Sequence, residues 1–347
     1  MNERTDDPAS PAPMSFTALP DLALRTLGST VMAASDESFA AKENLLNPGP
    51  AGFRAHIFGA KGQEYDGWET RRRRTPGHDW AIVRLGLPGV IRGVVVDTAW
   101  FKGNFPPQVT VEACAAEGHP AAGELTGWTE IVPGSPLTGD AVHEFAVTAD
   151  RRFTHVRLAI HPDGGVARLR VHGEVVPDPR LLTGLTVDLA ALANGAEVTG
   201  CSDMFYSSPT NAIMPGLARH QAEGWETARR RDEGNDWITL RLAAPGVVRL
   251  AELDTSNLRF NAPGEARIRG ADARTGPLED EEAWFDLLPR TRLQPDTNHR
   301  FRLDPARPAT HARVDIYPDG GLARVRLHGS LTPDGERDLF TRWEACS

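Results

Sequence analysis

The chain has 347 residues, enough for two domains of ordinary size, each able to bury its own core. Lys and Arg number 38 against 47 Asp and Glu, a formal charge of −9, which excludes a general nucleic-acid binder dependent on a basic footprint. Hydrophobic residues at 40% suit an ordinary globular chain, no apolar run reaches the ~18 residues of a membrane span, and 33 Gly with 27 Pro predict a turn-rich, mostly β protein.

In chain order, residues 1–20 are rich in Pro, Ala and Asp without periodicity and predict a flexible N-terminal tail with no apolar leader. The cysteines, Cys114, Cys201 and Cys346, are odd in number and widely spaced. They argue against a disulfide framework or zinc ribbon and for a reducing cytoplasm.

From residue 67 onward the chain repeats itself. Gly67–Trp80 (GWETRRRRTPGHDW) matches Gly224–Trp237 (GWETARRRDEGNDW) at ten of fourteen positions, at an offset of 157. Residues 154–173 match 310–329 at thirteen of twenty, including Pro162-Asp163-Gly164-Gly165 against Pro318-Asp319-Gly320-Gly321. Ser35-Asp36 and Asn44 align with Ser202-Asp203 and Asn211 at an offset of 167, so the first copy carries about ten extra residues near 52–65. A period this long exceeds the roughly 50 residues of solenoid units and marks a duplicated domain. The expected division is repeat 1 over 21–176, a linker over 177–187, repeat 2 over 188–332 and a C-terminal tail over 333–347.

Within each copy the period is two. Ala81, Val83 and Leu85 alternate with Trp80, Ile82 and Arg84, and Ile238, Leu240 and Leu242 do the same in repeat 2, predicting strands with one buried face. Residues 94–96, 109 and 111 add short strands, while 181–194 predict a short helix. The fold class is all-β, two tandem β-sandwiches or jelly rolls. If Asp163-Gly164 is a two-residue hairpin turn, Val156, Leu158 and Ile160 face Val171, Leu169 and Ala167, and the opposite side sets His155 against His172 and Arg157 against Arg170. Like charges directly opposed call for a counter-charge: either an anion, or carboxylates from a neighbouring strand or the other copy.

Acids, a histidine and four arginines crowd into residues 66–80. Glu69 or Asp79 suits general acid–base chemistry, and a planar guanidinium suits a substrate carboxylate. His78 becomes Asn235 and Arg71 becomes Ala228 in repeat 2, which gives His78 weight as an acid/base residue. His155, His161 and His172 lack metal-ligand spacing, and no phosphate loop, nucleophile elbow or dinucleotide fingerprint occurs.

The string Asp66-Gly67-Trp68-Glu69-Thr70-Arg71-Arg72-Arg73-Arg74, with Gly77-His78-Asp79-Trp80, Ser35-Asp36, Asn44-Leu45-Leu46, Asp97-Thr98 and Gly103-Asn104-Phe105-Pro106-Pro107, resembles the allantoicase family, departing from it at Trp100. The resemblance covers residues 20–332. It implies two galactose-binding-like β jelly rolls, a cytoplasmic homo-oligomer (trimer or hexamer), and hydrolysis of allantoate to ureidoglycolate and urea. Set against that substrate, Glu69, His78 and Asp97 are the expected catalytic residues, and Arg72, Asp36, Asn104 and Asp79 the expected binding residues. Asp203, Glu226, Arg229, Asp236 and Asp254 are their counterparts in a second or shared site. Asp36, Asp79 and Asp97 could also gather a divalent ion such as Mn²⁺. The alternatives are an enzyme on a related ureide such as ureidoglycolate, and a non-catalytic carbohydrate-binding module.

Overall fold

The computed structural model describes residues 15–54, 56–59, 61–304 and 307–347; most of the expected N-terminal tail lies outside these. The first repeat contains β1 (Thr30–Ala34), β2 (Phe58–Gly59), β3 (Gly62–Gln63), β4 (Trp68–Glu69), β5 (Asp79–Asp97), β6 (Gln108–Cys114), β7 (Thr129–Pro136), β8 (Val142–Ala146), β9 (Arg152–His161), β10 (Gly165–Val166) and β11 (Arg168–Val175). The second contains β12 (Thr186–Asp188), β13 (Glu197–Cys201), β14 (Trp225–Glu226), β15 (Asp236–Asp254), β16 (Glu265–Ala271), β17 (Trp284–Arg292), β18 (Asn298–Arg302), β19 (Ala309–Tyr317), β20 (Gly321–Leu322) and β21 (Arg324–Leu331). The helix α1 (Pro333–Ala345) follows.

Period-two patterning makes β5 the spine of repeat 1. Its first half, residues 79–84, pairs with β1 and β9, and β9 continues to β6 and β7. Beyond an irregularity between Arg84 and Gly89 its second half pairs with β11 and β8. One long strand thus serves both layers of a jelly-roll sandwich, and β15 does the same for repeat 2 with β13, β19, β21 and β18. The inward positions fill the core as the alternation requires: Ala81, Val83, Val94, Val96, Val156, Leu158, Leu169 and Val171 are buried, as are Ile238, Leu240, Val314 and Leu327.

Three expectations are corrected. The Asp163-Gly164 turn does not fold β9 back on β11, because β11 lies against Gly89–Asp97 of β5 in the other layer. Between them Gly165-Val166 pairs with Trp68-Glu69 instead, and the Asp163 carboxylate is drawn off to the backbone of Arg73. Residues 181–194 hold no α-helix; two 3₁₀ turns, Pro179–Leu181 and Leu192–Asn194, flank β12. The C-terminal segment expected as a tail is mostly helical. Thr332 caps α1, Pro333 occupies its first turn, and Leu339 packs with Leu182 and Ala244.

The arginines of β9 and β11 find their counter-charges without a ligand. Arg157 pairs with Glu112 of the neighbouring strand and lies over Trp128. Arg168, almost wholly buried, binds the Asp66 carboxylate at 2.7 Å and donates to the carbonyls of Asn44, Gly49 and Asp66, while Arg170 donates to those of Asn47 and Gly49. These guanidinium groups clamp the 44–50 loop, and Arg324 and Arg326 repeat the device on the carbonyls of Asn211, Met214 and Gly216.

Candidate active site

Four segments meet at the loop end of repeat 1: residues 35–39, 66–79, 101–106 and 161–166. The anchor is Trp68, fully buried, whose indole donates to the Asp36 carbonyl at 2.8 Å. Thr70 exchanges hydrogen bonds with the backbone of Gly164, and Gly165 N–H donates to the Asn104 carbonyl at 2.8 Å. Gly164 has φ +142°, and a Cβ there would come within 2.7 Å of the Pro106 nitrogen, so only glycine fits. Both the positive φ and the close approach hold Asn104 beside Glu69.

Glu69 is 8% exposed, and Asn104 donates from Nδ2 to its Oε1 at 2.5 Å. Burial pushes the Glu69 carboxyl above its ordinary range, against the pull of Asn104. Its Oε2 takes no hydrogen bond among the described residues. Two further candidates, Arg72 and His78, are carried on the same 66–79 segment. Arg72 is exposed and makes no ion pair among the described residues, whereas Arg71 is tied to Asp36 and Arg73 to Asp79. His78 is exposed, with its ring 4.7 Å from that of His161, whose Nε2 lies 3.0 Å from the Thr110 hydroxyl.

The three aspartates are committed to the framework. Asp36 accepts from the backbone amides of Ser38 and Arg71, from the Ser38 hydroxyl and from Arg71 Nε. Burial alone would raise its pKa, but these donors outweigh it and hold the carboxyl down to about 2. Asp79, 2% exposed, accepts from Arg73 at 2.7 Å and Ser35 at 2.9 Å. Asp97 caps the backbone of Ala99 at 2.7 Å. Asp36, Asp79 and Asp97, which could have gathered a divalent ion or served as turn and capping residues, are each spent on a different local partner; among the described residues no group of three or more His, Cys, Asp or Glu is placed to hold a metal.

Repeat 2 keeps this framework. Asp203 accepts from the backbone of Ala228 and Phe205, Asp236 from Arg230 and Ser202, and Asp254 from Ser256. Arg229 is exposed like Arg72. The difference lies at the glutamate: Gln221 Nε2 reaches both oxygens of Glu226, at 2.8 and 2.7 Å, while Asn261 also donates to Oε1. The residue aligned with Gln221 in repeat 1 is Glu64, which turns outward to Arg54. Asn235 and Tyr317 replace His78 and His161.

Other residues of the site went unrecognised in the sequence. Asp163 holds the Arg73 backbone at 2.8 Å, a role signalled only by the identity of the P-D-G-G string in both repeats. Phe101, Tyr65, Phe53 and Trp100 form an aromatic ladder over the extra segment of repeat 1, with Phe101 wedged against Gly67 and Gly165 behind Glu69. Trp100 sits at φ +70°, costly for a bulky residue, and is kept there by the Phe53 ring and a 2.9 Å bond to the Ala51 carbonyl.

The fold is a duplicated jelly roll that carries a buried glutamate, an exposed arginine and an exposed histidine on the loops of repeat 1. Comparison with known proteins gives the family. The allantoicase repeat model matches residues 20–176 and again 187–332. A "Probable allantoicase" of Nocardia farcinica is 55% identical over 95% of this chain and 99% of its own length, and one of Streptomyces coelicolor is 52% identical over 95% and 90%. The crystal structure of allantoicase from Saccharomyces cerevisiae aligns with a TM-score of 0.75 at 32% identity, covering 90% of this chain and 93% of that one. The chain belongs to the allantoicase family.

Proposed function

We propose that the loop-end pocket of repeat 1 is where this family member hydrolyses allantoate to ureidoglycolate and urea. The carrying observation is the contrast between the two glutamates: Glu69 keeps one oxygen free, while both oxygens of Glu226 are held by Gln221. Allantoate bears one carboxylate and two ureido groups on a single carbon, and the bond to break joins that carbon to a ureido nitrogen. Arg72 takes the carboxylate in a bidentate fork. His78 as general acid gives a proton to the departing nitrogen, which leaves as urea with the bonding electron pair while the remaining ureido nitrogen stabilises the cationic carbon. Water then adds to that carbon and its proton passes to Glu69, a carboxylate whose burial makes it a stronger base than an exposed one. Asn104 fixes Glu69 through Nδ2 and offers its side-chain carbonyl to a ureido N–H. Asp36, Asp79 and Asp97 act by holding the loops rather than by touching substrate.

Two outcomes follow. Glu226→Gln retains turnover within about twofold of wild type in a urea-release assay, since its carboxylate already lies under an amide; a loss comparable to that of the equivalent change at Glu69 would place catalysis in repeat 2. Arg72→Lys raises KM by roughly tenfold to a hundredfold with kcat little changed, as loss of a charge-assisted hydrogen bond in ground and transition state alike requires; an unchanged KM would remove the clamp. The pH profile follows from Glu69. As a base with a raised pKa it is inactive when protonated, so kcat/KM falls as pH drops through a value above the ordinary glutamate range of about 4.3.

The chain is read as a cytoplasmic homo-oligomer, a trimer or hexamer. Support comes from three free cysteines and from Met204, Phe205, Tyr206 and Phe260, large apolar side chains exposed near Glu226. Sedimentation velocity at micromolar concentration tests the assembly, and a monomer there would overturn it.

A further inference from the structure

A second pocket lies away from the loop end, where repeat 1 meets the linker and the start of repeat 2. It is a cavity of about 480 Å³ whose lining includes Arg84, His155, Leu85, Leu87, Leu182 and Ala193. Arg84 lies five residues along β5 from Asp79, roughly 16 Å at strand rise.

The charge here is unbalanced, and the other repeat shows how. In repeat 2, Arg241 stands opposite Glu197 across the β13–β15 pair and binds it at 2.9 Å. In repeat 1 the residue opposite Arg84 is Thr30, and Arg84 makes no ion pair or hydrogen bond among the described residues. Asp272 lies near His311 in repeat 2, and Ala115 takes its place in repeat 1. The acid that answers the arginine in repeat 2 is therefore missing from this copy, and the Asp272–Arg274 pair beside His311 is replaced by Ala115 and Glu117. The remaining acids on the wall, Glu117 and Asp178, are matched by Arg152 and Arg180.

His155 supplies a second, independent sign. It is 1% exposed, pairs directly with Arg84 across β5–β9, and its Nε2 has no hydrogen-bond partner. The Thr154 hydroxyl lies 2.7 Å from Nδ1, closer than its 3.3 Å to the Cys114 carbonyl. In the tautomer where this hydroxyl donates to Nδ1, the ring proton sits on Nε2, the buried nitrogen without a partner, and that is the form a bound carboxylate selects. Burial, with Arg84 beside it, lowers the His155 pKa to about 4, so the ring is a neutral donor and the site carries one net positive charge.

We propose that this cavity binds a small carboxylate with an apolar tail, its oxygens taken by Arg84 and His155 and its tail lying on Leu85, Leu87 and Leu182. One unmatched guanidinium suits a monoanion, and a dianion such as phosphate would leave a charge uncompensated beside an apolar wall. A ligand there touches repeat 1, the linker and the first 3₁₀ turn of repeat 2's core, so it braces the two repeats.

The test is calorimetric titration of the full chain with butyrate, its neutral isostere butyramide and inorganic phosphate, on wild type and three variants. Saturable butyrate binding is expected, with butyramide and phosphate each at least about tenfold weaker. Thr30→Glu, which restores the acid found in repeat 2, and Arg84→Met each weaken butyrate at least about tenfold while urea release from allantoate stays at the wild-type rate, which also reports intact folding. Arg72→Met leaves butyrate binding unchanged, separating this cavity from the loop-end pocket. No butyrate binding, binding unaffected by Thr30→Glu, binding lost in Arg72→Met, or phosphate binding as tightly would each overturn the proposal.

Discussion

Glu69→Gln lowers kcat for urea release from allantoate by roughly 10²–10⁴, the usual worth of a positioned proton-transfer group. The substitution is nearly isosteric and leaves Asn104 a partner, because an amide oxygen accepts from Nδ2 as the carboxylate Oε1 does. Stability is therefore little changed and the loss reports chemistry. KM holds near wild type if Arg72 carries the substrate carboxylate, so steady-state kinetics separates this variant from one that merely loosens the pocket. The residual activity also loses the acid limb assigned to Glu69. A variant that turns over at more than a tenth of the wild-type rate removes Glu69 from proton transfer.

Arg73→Met has the largest expected effect on stability. Asp79 is buried at the first residue of β5, with Arg73 and Ser35 as its hydrogen-bond partners and one oxygen already unpartnered. Removing the guanidinium leaves a buried carboxylate with a single hydroxyl, and breaking a buried pair in this way costs about 3 kcal/mol or more. The Arg73 side chain is itself about a quarter exposed, which sets the expectation at the lower end of such losses. Denaturant unfolding should show it as a shifted midpoint at constant slope. Activity falls as well, since the Arg73–Asp79 ion pair fixes the segment that carries Arg72 and His78. The double substitution Arg73→Met with Asp79→Leu recovers much of the stability, because no charge is then stranded. Equal stability of Arg73→Met and wild type would show that Asp79 is solvated in solution.

Asp36 adds an acid-side component of the same kind. Its folded pKa of about 2 lies below the ordinary aspartate value of 3.8, so the stability it contributes is complete above pH 3.8 and lost as pH falls towards 2. Asp36→Asn should flatten the thermal midpoint between pH 4 and 2 relative to wild type, read by circular dichroism melts; parallel curves would contradict this.

Much of the architecture was legible because it was written twice. The shared GWET…DW string and the P-D-G-G string locate the same loops in both copies, and alternation at residues 81–85 and 238–242 marks the spine strands. The partner of a strand is another matter. Asp163-Gly164 carries a strong local turn signal, but whether β11 joins β9 or crosses to β5 is decided by side chains 90 or more residues away, among them Thr70 and Arg73. The site shows the same limit. Asp36, Asp79 and Asp97 suit a site by chemical type, yet each has a counterpart in repeat 2 accepting the same backbone or arginine donors. Glu69 and Glu226 are identical in sequence and differ only in what reaches them. Gln221, the residue that distinguishes them, lies in a segment with no visible motif.

The most direct test is the crystal structure of the Glu69→Gln chain soaked with allantoate. The substrate is expected in repeat 1 alone, its carboxylate within hydrogen-bonding distance of Arg72 and its central carbon between residue 69 and His78. Substrate bound at Glu226 instead, or in repeat 1 with its carboxylate turned away from Arg72, would contradict the account.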